Sequence, residues 1–287
     1  MGYDMTMEIS ALNEIFVEFY YWITVPLMFL IHVGFCLYEV SISRAKNHMH
    51  TLMKNAMLIP VVTITFFLFG FWIWFAGQGP FGDFAGGTTG LPWDATMGAN
   101  VKDHIMGVFW AAFLLFSWTA ASIVSGAVIE RIRTGAFLIL AVLVGSVTWM
   151  IDAAWGWSPS GWMVTDWGYH DAYASGVIHG ICGGAALGIL TVLGPRIGKF
   201  APDGTPRDIP PNNPWFAVIG LFIIYTGFWG FYAACNLPIG NVNGVWTATT
   251  IYGTPTTLST ITFNFLMSLA GGMLAGYFMS KGDSFWT

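Results

Sequence analysis

The sequence predicts an all-α polytopic membrane protein. Three observations carry that prediction: scarce charge, seven long apolar stretches, and cations gathered in alternate loops. Charged residues make up 9% of the 287 residues and hydrophobic ones 55%, with a mean hydropathy of +0.64, whereas a soluble domain carries roughly 25% charge. A soluble globular enzyme is excluded, and no enzymatic activity is expected. The 10 Lys and Arg are spread along the chain and form no basic patch to neutralise phosphates, so nucleic acid is not a partner. Cys36, Cys182 and Cys235 each lie in an apolar stretch without metal-ligand spacing. They read as buried thiols, with no disulfide framework, metal site or cofactor expected.

Taken in order, the elements follow from the need for about 20 mostly apolar residues to cross the hydrocarbon core. The N-terminus places acids, not basic residues, before its apolar run, so no cleaved signal is expected. The first stretch, 14–38, is followed by Arg44, Lys46 and Lys54. The second, 52–76, runs into a Gly-rich, Trp-flanked loop from Gly77 to Asn100. The third, 104–128, ends at Arg131 and Arg133, and the fourth, 135–155, leads into Trp157 to His170. The fifth, 172–194, precedes Arg196, Lys199 and Arg207; the sixth and seventh are 214–236 and 257–279, with Lys281 after the last. Only Lys102 falls in the other set of loops. By the positive-inside rule the N-terminus lies outside and the C-terminus in the cytoplasm, with both Trp-rich loops external. The loop from Arg196 to Asn213 holds four prolines and the turn-forming Asp203-Gly204, marking a boundary. Residues 1–287 thus read as one membrane domain: five helices over 14–194, a cytoplasmic loop over 195–213, and two helices within 214–287.

Ionisable residues at membrane depth are costly and are functional candidates by default. Here they are Glu18, His32, Asp152, Asp171 and His179, with Glu39 and His104 nearer span ends. His179 lies among glycines at 176, 180, 184 and 188, a ridge that lets another helix approach closely. Its imidazole, one donor and one acceptor, suits a polar path equally with a structural bond to a neighbouring carbonyl. Asp171 reads as an N-cap for the fifth span. Asp152 suits snorkelling to the interface as well as burial. Glu18 and His32 are separated by about 21 Å of helix, too far to act on one ligand.

Several segments then carry a family resemblance. They are Gly34-Phe-Cys-Leu-Tyr-Glu39-Val-Ser-Ile-Ser-Arg44-Ala-Lys46-Asn47 with Leu52-Met-Lys54-Asn55, and Phe116-Ser-Trp-Thr119 through Ser125-Gly126-Ala127-Val-Ile-Glu130-Arg131-Ile-Arg133. Trp155-Gly-Trp-Ser-Pro-Ser-Gly161-Trp162, Asp171 to His179, Gly194-Pro-Arg196 and Gly227-Phe-Trp-Gly230-Phe231 continue the series in order. In this series the chain resembles the Amt/Mep/Rh ammonium transporters. The resemblance implies an ammonium-transporter-like helical bundle in the cell's inner or plasma membrane, a substrate of ammonium or ammonia, and a homotrimer or association with other membrane subunits. It also implies site roles: Trp155 and Phe116 recruit the cation together with Cys235, Phe116 and Phe231 form a gate, His179 is a pore histidine, and Asp171 supports the outer site.

The chain departs from the family pattern at named positions. Cys235 stands where the family has a serine and is a weaker acceptor; Phe113 replaces a glutamine and Tyr232 an asparagine, making the vestibule more aromatic. The family's usual eleven spans form two inverted repeats, whereas this chain ends after its seventh at Ser284-Phe-Trp-Thr287. A partner histidine from a later span is absent, so the chain alone is expected to conduct little. A transport-incompetent structural or ammonium-sensing subunit is the alternative. Electron transfer through His32 and His179 would need paired histidines at one depth, and no such pair is evident.

The positive-inside arrangement requires Arg44, Arg131 and Arg207 to share one side. Cysteine reporters placed between Trp157 and His170 and beside Arg207 are expected to label from opposite faces of sealed vesicles. Labelling from the same face would overturn the topology.

Overall fold

A computed structural model describes residues 5–79, 87–95, 97 and 104–280, with side chains from residue 9 onward. Residues 80–86, 96 and 98–100 of the loop from Gly77 to Asn100, together with Lys102, Lys281 and Ser284 to Thr287, lie outside the described residues. Seven helices are long and apolar enough to span a bilayer: Ile9–Ile42, Ala45–Ala76, His104–Ala127, Thr134–Gly156, Ser175–Leu193, Pro214–Ala234 and Leu258–Met279. The protein is therefore an integral multi-pass membrane protein with an all-α spanning architecture. The fifth span starts at Ser175 and not at 172, because Ala174 takes a left-handed backbone (φ 63°) that a helix cannot include. Wide turns interrupt the second, fourth and fifth spans at Phe66–Gly70, Leu143–Thr148 and Ser175–Gly180.

Two compact units are present, Met1–Cys235 and Asn236–Thr287. In the first, the third span is central: residues 112–122 are buried without interruption, as expected for a helix apolar on every face. The first and sixth spans pack backbone to backbone. A Cβ on Gly220 would lie 2.9 Å from the Tyr38 amide nitrogen and 3.0 Å from the Gly34 carbonyl oxygen, and one on Gly230 would lie 2.9 Å from the Thr24 carbonyl oxygen. Only glycine allows that approach. The ridge on the fifth span behaves differently: Gly176 faces the Tyr169 hydroxyl, Gly180 touches only its own span at the Ser175 carbonyl, and the positions beside Gly184, Gly188 and the neighbouring Gly183 are open among the described residues.

Two enclosed charges of the first unit, Lys54 and Glu130, are paired. Lys54, read from the sequence as a loop cation, belongs to the second span and is 1% exposed. Its ammonium lies 3.4 Å from Glu39 Oε2 and donates to the Ser125 carbonyl at 2.5 Å, above the Phe137 ring. Asn55 Nδ2 and Ser125 Oγ donate to the same carboxylate oxygen at 2.9 and 2.8 Å. Glu130 joins three loops. It accepts from the Arg44 amide (2.5 Å) and Nε (2.8 Å) and from Arg196 Nε (3.0 Å), with its side chain fully enclosed. Arg44 also donates to the Ile197 carbonyl, Arg196 to the Ile42 carbonyl, and Arg131 to the Leu193 carbonyl.

The second unit holds the seventh span and a hairpin absent from the sequence-based expectation. Strands β1 (Asn236–Val242) and β2 (Val245–Thr250) pair antiparallel, Val242 opposite Val245 and Asn241 opposite Trp246. Asn243 (φ 53°) and Gly244 (φ 84°) make the turn, the positive-φ pair that a two-residue hairpin loop favours.

Burial alone would push the Glu130 carboxyl up, but hydrogen bonds from Arg44, Asn47 and Arg196 outweigh it and hold it at about 2, below its ordinary 4.5. A depressed carboxyl stabilises the fold fully above the unfolded value and loses that contribution as pH falls through the folded one. Glu130→Ala, which strands two arginines, is expected to cost about 3 kcal/mol. Thermal unfolding in detergent should show the difference at neutral pH and its disappearance as pH falls from 4.5 toward 2. Equal midpoints at neutral pH would show that the junction contributes nothing.

Candidate functional site

The third, fifth and sixth spans bring a file of rings together. Phe116, 0% exposed on the buried third span, meets Phe231 of the sixth edge to face at 4.6 Å between centroids. Trp157 also meets Phe116 edge-on, at 5.3 Å. His179 lies 5.9 Å from Phe231 and 6.2 Å from Phe228. Phe113 stacks on Trp157 at 5.4 Å, and Tyr232 packs on Phe228 at 5.5 Å and on Tyr173 at 5.6 Å. These are the offset and edge-to-face separations that aromatic quadrupoles favour.

His179 sits in the wide turn Ser175–Gly180, where its amide reaches the Ala174 carbonyl at 3.3 Å. Such turns push one residue out of the regular helical register. Its ring is half-buried and makes no hydrogen bond among the described residues, so both nitrogens remain available. Asp171 orders the entry to this span. Oδ1 accepts from the Ser175 amide at 2.8 Å, and Oδ2 from the Gly176 and Val177 amides at 2.7 and 3.0 Å. The carboxylate thus satisfies the first free amides, although Ala174 and not Asp171 is the residue that heads the helix. Tyr169 donates to Oδ2 at 3.5 Å; burial and then the Asp171 and Asp152 carboxylates push its hydroxyl up to about 12, so it remains a donor.

Of the residues singled out in the sequence, Phe116, Phe231 and His179 therefore come together. Cys235, buried one turn after Phe231, lies with His179 in the field of the Asp171 carboxylate. Trp155, half-buried at the end of the fourth span, packs edge-on to Trp162 at 5.7 Å. Trp157, which sequence reasoning passed over, is packed on Phe116. The available signal was its place just past Gly156, where the helix ends and the chain turns (φ −124°, ψ 33°). Phe228 was likewise missed, although it lies three residues before Phe231 on one helical face. Elsewhere, His32 is buried against Trp118 at 5.2 Å and Ser122 at 3.4 Å. Glu18 lies 3.5 Å from His104, both partly exposed, and Asp152 is half-buried in the field of Asp171.

Asp171→Ala would free three helix-entry amides and is expected to cost about 2–3 kcal/mol. Tyr169→Phe removes one long hydrogen bond and is expected to cost under about 1 kcal/mol. Midpoints of thermal unfolding in detergent compare the two, and a smaller shift for Asp171→Ala than for Tyr169→Phe would contradict the capping role.

Known proteins share sequence and fold with this chain. The sequence profile of the Ammonium Transporter Family matches residues 19–284. Ammonium transporter Amt2 of Archaeoglobus fulgidus is 36% identical over 222 residues, covering 74% of this chain and 45% of that protein. Ammonium transporter Amt1 of Methanocaldococcus jannaschii is 29% identical over 282 residues, 98% of this chain and 64% of that protein. The chain spans about half the length of most curated relatives it matches. Among solved structures, one titled Sensor Amt Protein superposes with a TM-score of 0.66 at 24% identity, covering 77% of this chain and 55% of that one. Candida albicans Mep2 gives 0.63 at 24%, covering 76% and 48%. These two likenesses bear on the fold alone. The profile, by contrast, runs through all seven spans and the whole aromatic file, and the chain belongs to the Ammonium Transporter Family.

Proposed function

We propose that the chain forms one wall of a path for ammonium or ammonia across the cell's inner or plasma membrane. The observation that carries this reading is the continuous file Trp157, Phe116, Phe231 and His179, ending on an imidazole with unengaged nitrogens. Aromatic faces attract an ammonium ion by about 1–2 kcal/mol, enough to concentrate it without trapping it. Trp155, also near this end of the fourth span, and Cys235 complete the recruiting surface, the thiol as a weak acceptor.

Beyond recruitment, the edge-to-face pair Phe116–Phe231 acts as the gate. Its burial excludes hydrated ions, because desolvating a charge costs several kcal/mol. Ammonium transfers a proton to water on the entry side of this barrier, leaving hydronium in the aqueous phase, and an N–H of the resulting ammonia then donates to an imidazole nitrogen of His179. Both oxygens of Asp171 are occupied by amides, so it supports the site through its charge and by holding the fifth span in place. Facing His179 a second wall is required, since a polar path must be lined all round. The open flank at Gly183, Gly184 and Gly188 fits a further layer of helices, from another copy in a trimer or from another membrane segment. The same open flank favours a second reading, a sensing or structural subunit docked through that face.

The test is ammonium-driven change of lumenal pH in liposomes, with the assembly purified from its own membrane and with residues 1–287 alone. The assembly is expected to conduct and its His179→Ala variant to fall to the level of empty liposomes, while residues 1–287 alone give little signal. Undiminished flux in His179→Ala would overturn the pore assignment. Ammonium-dependent spectral change without flux would favour the sensing subunit.

A further inference from the structure

We infer that the β1–β2 hairpin is a membrane-surface anchor, resting on phospholipid headgroups through Val245 and Trp246. Covalent connection sets its level: the sixth span ends at Ala234, the hairpin begins at Asn236, and the seventh span begins at Leu258. The hairpin therefore leaves and re-enters the bilayer within a short length of chain.

Its composition matches that level. Residues 209–280 contain no Asp, Glu, Lys, Arg or His. The loop between the fifth and sixth spans shows the contrast, for it carries Arg196, Lys199, Asp203, Arg207 and Asp208. At the hairpin tip, Val245 is 64% exposed and Trp246 71% exposed, flanked by the polar Asn241, Asn243 and Gly244. An uncharged loop that presents tryptophan between two spans fits the headgroup layer, where an indole keeps its ring apolar and its N–H hydrated.

Two further constraints fix the depth. A two-stranded hairpin is marginal in water without a surface to rest on, which favours contact over projection into solvent. Its strands form a two-stranded sheet that is not closed on itself; residues 254–256 cover part of the outer edge of β2, with the Thr256 amide donating to the Ala248 carbonyl at 2.9 Å, and an open sheet is not tolerated in hydrocarbon. The hairpin consequently lies flat at the headgroups, with the Trp246 ring reaching the top of the acyl region.

The test uses the full chain with fluorotryptophan incorporated, in nanodiscs of phosphatidylcholine and phosphatidylglycerol, observed by fluorine NMR. Trp246→Phe, a conservative change at an exposed strand position, identifies the Trp246 resonance as the one that disappears. A headgroup-labelled nitroxide lipid is expected to broaden that resonance several-fold more than a water-soluble gadolinium chelate does. Broadening by the chelate alone would place the tip in water and overturn the inference. Protection from both agents would show that protein covers Trp246, whether a second copy or the mouth of the site, and would overturn it equally.

Discussion

One buried carboxylate holds the arrangement on which the site depends. Glu130 follows the third span in a left-handed backbone conformation (φ 62°) and ties Arg44, after the first span, to Arg196, after the fifth. An enclosed charge costs several kcal/mol unless its partners stay in place, so the three loops have little freedom to drift. Phe116 is carried by the third span and His179 by the fifth. Phe231 is carried by the sixth, which packs on the first through glycine. Fixing three helix ends therefore fixes the relative depth of the rings.

The site proper holds no charge at its centre. Its carboxylate stands just before the fifth span with its oxygens committed to backbone amides, and the imidazole eight residues on makes no hydrogen bond among the described residues. That division separates two demands that conflict in a membrane interior. A charge that attracts a cation must be stabilised by fixed dipoles, whereas a group that contacts a neutral amine needs unoccupied nitrogens. The wide turn beneath Asp171 serves both, because it opens the amides toward the carboxylate and displaces His179 from the regular helical spacing.

The seven spans were legible because length and hydropathy alone set them. The pairing of Phe116, Phe231 and His179 rested instead on family motifs, since nothing in three separate helices announces that they meet. What escaped the sequence shares a cause: the outcome depended on a distant partner. Lys54 looks like a loop cation until Glu39, Asn55 and Ser125 are seen around it. The glycines at 180, 184 and 188 advertise a close contact, yet the close contact forms at Gly220 and Gly230, where the first span supplies a facing backbone. Trp155 and Trp157 differ by two positions at a helix terminus, and the local turn decides which ring is packed on Phe116. The Asn243-Gly244 turn was readable in principle, but it lies in a segment whose only expected task was to join two spans.

The glycine contact between the first and sixth spans also bears on motion. With Gly220 against the backbone of Gly34 and Tyr38, and Gly230 against Leu27 Cβ and the Thr24 carbonyl, little side-chain bulk separates the two helices at those crossings. Interiors packed this closely resist continuous deformation. The helix that carries Phe231 consequently has no soft direction toward the first span, and rocking of one helix on the other is a poor way to part the rings. Rotation of the Phe231 side chain is the softer coordinate. Ring rotations of that kind belong to a faster class of motion than the microsecond-to-millisecond movement of whole segments. If the pair acts as the proposed gate, it responds at the rate of a side chain, leaving the scaffold still.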